Sequence, residues 1–109
     1  MNDTYSQDFK DAKESGDYWI ICISEEWCGA CKYLKRKVDE LDAQGIKVRI
    51  TYLKTDSEIG KKIRAISKLD KGYIPWWSVW KFDEEVFQMQ HEQIGIDNLE
   101  NLLNKYKLS

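Results

Sequence analysis

Apolar positions along the chain switch between two periods, and the switches mark its elements. Tyr18-Trp19-Ile20-Ile21-Cys22-Ile23-Ser24 is β-branched, aromatic and apolar, which predicts a buried strand. Leu34, Val38 and Leu41 then recur at i, i+4 and i+7, one face of a helix spanning Cys28–Gln44 and ended by Gly45. Ile46, Val48, Ile50 and Tyr52 alternate, so Ile46–Leu53 reads as a strand. Ile59, Ile63 and Ile66 mark a helix from about Ser57 to Lys68. Trp76–Lys81 and Val86–Gln93 read as an antiparallel pair across Phe82-Asp83-Glu84-Glu85. The last helix opens at Asp97, a good N-cap, and presents Leu99, Leu102, Leu103 and Tyr106. A short helix, Ser6–Glu14, precedes everything, with Phe9 and Ala12 or Lys13 inward and Gly16 at its end. The order is α-β-α-β-α-β-β-α, without repeats, low-complexity tracts or linkers.

Composition narrows the field. At 109 residues and 42% hydrophobic, the chain has material for one domain with a core. A net charge of −2 makes no electrostatic case for nucleic acid or an anionic membrane. No apolar run approaches the ~20 residues that span a bilayer. The opening Met1-Asn2-Asp3-Thr4-Tyr5-Ser6-Gln7-Asp8 is polar and acidic, without an apolar signal core, so cytosolic residence is expected. In a reducing compartment, a close cysteine pair is catalytic or metal-binding more often than a static staple.

That pair lies in Glu26-Trp27-Cys28-Gly29-Ala30-Cys31-Lys32, between predicted strand and predicted helix. Cys-x-x-Cys at a strand–helix junction suits dithiol–disulfide exchange, because one helical turn brings the two sulfurs within bridging reach. Cys28, at the helix N-terminus, is the expected nucleophile: unpaired N–H groups and the positive dipole end favour its thiolate. Cys31, one turn deeper, resolves the mixed disulfide. Ala30 lies in the first turn, so its free N–H is a candidate donor to the Cys28 sulfur. Two other readings compete. The pair is inert and buried, against which the strand–helix context argues; or a metal centre forms, either zinc on Cys22, Cys28, Cys31 and His91 or an iron–sulfur cluster bridging two chains. Cys22 lies mid-strand and His91 on a distant strand, unlike the paired loops of a closed zinc site.

With Trp27-Cys28-Gly29-Ala30-Cys31, Gly72-Tyr73-Ile74-Pro75 and Ile94-Gly95-Ile96 in that order, the chain resembles the thioredoxin family from about Tyr18 to about Tyr106. The resemblance implies an α/β fold with a mixed sheet of about four strands between helices. Only about five residues precede the first helix, so the first strand of many thioredoxins is expected to be missing or vestigial. The stretch from Asp56 to Pro75 is a few residues longer than usual, which predicts a longer third helix. The resemblance also implies a cis bond before Pro75, an Ile74 main chain that docks extended substrate, and a substrate surface of Trp27, Gly29, Ala30, Tyr73, Ile74, Pro75 and Gly95. Trp27 offers a flat apolar ring beside the sulfur or, alternatively, packs against the loop at Asp56.

The function implied is that of a monomeric protein-disulfide reductase without bound cofactor or metal. It would act on disulfide-containing proteins, with a flavin-dependent thioredoxin reductase to reset it and no nucleic-acid or membrane partner. The rivals are an isomerase or oxidant on the same fold, since Ala30 stands where reductive members carry proline, and a non-enzymatic accessory subunit.

The chain departs from the family beneath the motif. Cys22 occupies the place of a buried aspartate that assists the deeper cysteine, and Tyr52 about that of its companion lysine. Cys22 then reads as a small core residue, with a third redox sulfur as the minority reading. Glu25 and Glu26 are nearby acids without an assigned role. Trp76 and Trp80 fall on one sheet face and Trp77 on the other, mostly as core. Lys32, Lys35, Arg36 and Lys37 read as a solvated face that weakly favours acidic partners, and His91 as a surface residue.

Overall fold

A four-stranded sheet in the order β2-β1-β3-β4 organises the chain, and every expected element is present in the expected sequence. The structure is a computed structural model that describes residues 4–67, 74–92 and 98–108. Its elements are α1 Thr4–Ser15, β1 Tyr18–Ile23, α2 Gly29–Ala43, β2 Arg49–Leu53, α3 Glu58–Ser67, β3 Trp76–Asp83, β4 Val86–Glu92 and α4 Leu99–Tyr106. β1 pairs parallel with β2 and antiparallel with β3, and β3 pairs antiparallel with β4. α1 begins at the first described residue, so the expected loss of a preceding strand concerns residues outside the described ones. α3 is described as far as Ser67, and the expected lengthening of this helix concerns 68–73, which lie outside the described residues.

The two sheet faces carry separate cores. Ile20, Cys22, Trp77 and Val79 meet Leu34, Val38 and Leu41 of α2 and Leu99, Leu102, Leu103 and Tyr106 of α4. Trp19, Ile21, Ile23, Trp76 and Trp80 meet Ala12 of α1 and Ile63 of α3 on the other face. The tryptophan alternation therefore holds through β3, despite an irregularity in the β4 pairing between Val79 and Trp80. On α1 the inward residue is Ala12; Lys13 is exposed, with its ammonium 5.7 Å from the Phe82 ring. Phe9 sits at the rim against Trp19 and Phe87. A buried relay ties α1 to the sheet: Trp19 Nε1–H donates to Thr51 Oγ1 at 2.8 Å, and the Thr51 hydroxyl donates to the Asp8 carboxylate.

Two boundaries differ from expectation for identifiable reasons. β2 starts at Arg49 rather than Ile46, because Ile46 belongs to the end of α2. Ile46 N–H bonds to Leu41 O at 2.9 Å and Gly45 N–H to Asp42 O at 3.0 Å, with Gly45 at φ 97°. This pairing closes two helix-end carbonyls and needs a residue tolerant of positive φ. The β3–β4 turn shrinks to Glu84-Glu85, because Phe82 and Asp83 pair with Phe87 and Val86. Glu84 takes φ 59° there, as tight hairpins demand. The described part of α4 has Asn98 at its N-cap, one residue past the expected Asp97, which lies outside the described residues.

α2 is held by its buried stripe and its capped ends, since its charges oppose its dipole. Lys32, Lys35, Arg36 and Lys37 occupy the first half; Asp39, Glu40 and Asp42 occupy the second. No acid lies in the first turn and no base in the last. The reverse order would stabilise a helix by about 0.3–1 kcal/mol per well-placed terminal charge.

Gly60 is the close-approach point of α3. A Cβ there would lie 2.6 Å from Ser57 Oγ, 3.0 Å from Ile23 Cδ1 and 3.1 Å from the Lys54 carbonyl. Ser57 Oγ cannot yield freely, because it accepts the Gly60 N–H at 3.0 Å and donates to Lys54 O at 2.8 Å. Helix propensity alone says that Gly60→Ala gains ~1 kcal/mol. Overpacking and a displaced cap reverse the sign, for a net loss of about 1–2 kcal/mol. Urea unfolding of the variant checks this; a raised midpoint would contradict it.

Candidate functional site

The β1–α2 junction places two sulfurs at the head of a buried helix. β1 is fixed between β2 and β3 and delivers the chain to Glu25, whose carbonyl accepts the Cys28 N–H at 3.2 Å. Cys28 is the N-cap of α2, with extended backbone at φ −88° and ψ 114°. Its Sγ accepts the Cys31 N–H at 3.2 Å, so a sulfur serves where a capping oxygen usually does. The expected donor was Ala30, one residue earlier. A proline at position 30 would therefore leave this bond in place.

The cysteines differ in access less than expected. Cys28 is 7% exposed and Cys31 1%, so both are buried and Cys28 is the more reachable. All three cysteines are thiols. The open partner is Trp27, at 77% exposure, which rules out packing against the Asp56 loop as its main environment. Gly29 and Ala30 are exposed in the first turn of α2. Across the opening, the Cys28 Sγ lies 3.8 Å from the Ile74 carbonyl, just ahead of Pro75. The Ile74–Pro75 bond is cis, as the resemblance implied. Trp27, Cys28, Gly29, Ala30, Cys31, Ile74 and Pro75 thus converge on one end of the sheet. Tyr73 and Gly95 lie outside the described residues.

Beneath Cys31 the floor is neutral. Cys22 and Tyr52 are register partners across β1 and β2. Burial, reinforced by the neighbouring Cys31, pushes the Cys22 thiol far above its ordinary range. Burial does the same to the Tyr52 phenol, helped by Cys22 and Asp39. Burial, followed by the hydrogen bond with Cys28, pushes the Cys31 thiol up to about 11; the Glu25 backbone and the Lys35 charge pull the other way. Lys35 Nζ lies 4.7 Å from the Tyr52 ring centroid, which explains its reach to the sulfurs. Helical charge pattern alone assigns Lys35 to a solvated face, although its place four residues after Cys31 is a usable signal. Glu25 is occupied elsewhere: its carboxylate accepts Thr55 N–H at 3.0 Å and Thr55 Oγ1–H at 2.5 Å. The Thr55 hydroxyl and backbone hold that carboxyl below its usual range. Nothing local in sequence announces Thr55, which arrives from the far end of β2. His91 is not a surface residue; it is half-buried, with its ring 5.7 Å from Trp77 and 6.1 Å from Tyr106. Among the described residues no group of three or more His, Cys, Asp or Glu side chains is arranged to hold a metal ion.

Solved structures share this architecture. The solution structure of a thioredoxin from Thermus thermophilus matches with a TM-score of 0.68 at 11% identity, covering 93% of this chain and 82% of that one. A Trichomonas vaginalis thioredoxin matches at 0.67 and 16% identity, covering 98% and 95%. Thioredoxin O1 from Arabidopsis thaliana, in its oxidised state, matches at 0.63 and 22% identity, covering 97% and 93%. No family model matches the sequence, and no curated protein matches it. The chain has the thioredoxin fold: a four-stranded mixed sheet flanked by four helices.

The neutral floor has two testable consequences. Cys22→Ala should retain most activity and lose ~1 kcal/mol or more of stability to the small cavity; a collapse of turnover in a folded variant would contradict this. Stability should also fall in alkali. The unfolded Cys31 loses its proton near the ordinary thiol value of 9.0, whereas the folded thiol keeps it until about 11. Over that window the unfolded chain binds fewer protons, so unfolding becomes easier as pH rises. Urea midpoints measured from pH 8 to pH 11 should decline, and less steeply in Cys31→Ala.

Proposed function

We propose that this protein is a thiol–disulfide oxidoreductase that reduces protein disulfides through Cys28 and Cys31. The observation that carries the reading is the Cys28 sulfur, which sits between a helix N-terminus and the Ile74 carbonyl. That puts a nucleophile beside a backbone edge on which an extended substrate can lie. The exposed Trp27 ring adds a flat apolar wall next to the sulfur.

The chemistry balances with no bound cofactor. The Cys28 thiolate attacks one substrate sulfur, the substrate S–S bond breaks, and the second sulfur leaves as a thiolate that takes a proton from water. Cys31 then gives up its proton and attacks Cys28 Sγ. The mixed bond breaks, the substrate leaves with both sulfurs reduced, and a Cys28–Cys31 disulfide holds the oxidised state. A dithiol reductant, in our reading the product of a flavin-dependent reductase, returns two electrons. The Cys31 proton goes to solvent or to the departing substrate thiolate, because Cys22 and Tyr52 are both held neutral. We read the protein as a monomer acting in a reducing, cytoplasmic setting. No helix among the described residues is long and apolar enough to cross a membrane.

Insulin reduction driven by dithiothreitol tests the reading. Turbidity should develop faster with the protein than without it, Cys28→Ser should abolish the acceleration, and Cys31→Ser should accumulate a mixed disulfide visible by mass. No acceleration by the wild-type chain would overturn the reading. Limited iodoacetamide near neutral pH should label Cys28 before Cys31, and the reverse order in a peptide map would exchange the two roles.

A further inference from the structure

The charge order of α2 weakens the helix and therefore calls for another explanation. From Trp27 to Val38 the chain carries Lys32, Lys35, Arg36 and Lys37 and no acid, within a protein of net charge −2. Among the described residues the one ion pair is Lys47–Asp42, so none of the four cations is neutralised by an acid there. They begin one turn from the nucleophile: the Lys32 N–H donates to the Cys28 carbonyl at 3.2 Å. Two acids immediately precede the stretch, and Asp39 and Glu40 follow it. Glu25 is engaged with Thr55, and Glu26 is exposed beside Trp27. The stretch that begins at the nucleophile is therefore a run of positive charge on an acidic molecule.

The same surface has apolar relief. Trp27 is 77% exposed and Tyr33 50%. Helical spacing puts Ala30, Tyr33 and Lys37 along one line that starts beside Cys28. An approaching chain would meet two aromatic surfaces framed by cations.

We propose that the disulfides this protein reduces are those flanked by acidic residues, and that the first half of α2 with Trp27 is the surface that selects them. The inference rests on the reductase reading and names the substrate class for it. Complementary charge raises encounter rates and sets approach, and like charge on a wrong substrate is repelled.

Two peptides with the same disulfide loop, one flanked by Asp and Glu and the other by Lys and Arg, test this with dithiothreitol as the uncharged reductant. At ~20 mM salt the acidic peptide should be reduced roughly tenfold faster. Near ~1 M salt, where screening acts within ~3 Å, the two rates should converge. In the Lys32→Glu, Arg36→Glu double variant the preference should invert. The ratio of the two peptides is the readout, so any change in Cys28 reactivity cancels. The new carboxylates lie towards the positive end of the helix, so the thermal midpoint should hold or rise. Should that variant fail to fold, Lys32→Gln, Arg36→Gln should still shrink the preference several-fold. Equal rates for the two peptides, or a preference insensitive to salt and to both variants, would overturn the substrate class and leave the reductase reading standing. Failure to reduce either peptide would overturn the reductase reading and the inference with it.

Discussion

One hydrogen bond organises the functional end of this molecule: the Cys31 N–H donating to the Cys28 sulfur at the start of α2. It caps a helix with a sulfur. It also fixes the more deeply buried sulfur one turn behind the accessible one, because donor and deeper thiol belong to the same residue. Ile20 and Cys22 of β1 and Leu34, Val38 and Leu41 of α2 share one core, so the turn between them is clamped from both sides. The Gly45 turn, with Ile46 bonded back to Leu41, fixes the other end of the helix.

Electrostatics around the turn divide into a neutral interior and a positive rim. Below the sulfurs lie Cys22 and Tyr52, whose burial pushes their ionisation further into the alkaline range. Above and beside them lie the lysines and the arginine of α2, with Lys35 reaching back over Tyr52. In the proposed reaction Cys31 would lose its proton with no buried acid beside it among the described residues, and the charge that lowers its pKa is that of Lys35 on the surface. Lys35 thus belongs both to the surroundings of the deeper thiol and to the surface proposed to meet substrate.

Much of the scaffold was legible in the residues themselves. The runs through Trp19–Ile23 and Leu34–Leu41 carry unmistakable periods, and both elements formed where those periods lay. The Cys28–Cys31 spacing and the Ile74–Pro75 pair pointed to the two sides of the site. The features that escaped are tertiary in origin. Ile46 obeys the strand alternation, yet its N–H is taken by the helix cap. Phe82 looks like turn and forms strand, because Phe87 stands opposite to pair with it. His91 follows a polar pattern but meets Trp77 of the paired strand β3 and Tyr106 of α4, both packed over it in the fold. Thr55 captures Glu25 from a distant stretch of chain, a contact that no local rule anticipates.

The reduction potential of the Cys28–Cys31 couple, measured by equilibration against glutathione or a reference dithiol protein, is the most direct test of the central claim. A reductant of protein disulfides should poise near ~−270 mV. A value near ~−180 mV or above, or the absence of any Cys28–Cys31 bond at equilibrium, would contradict it.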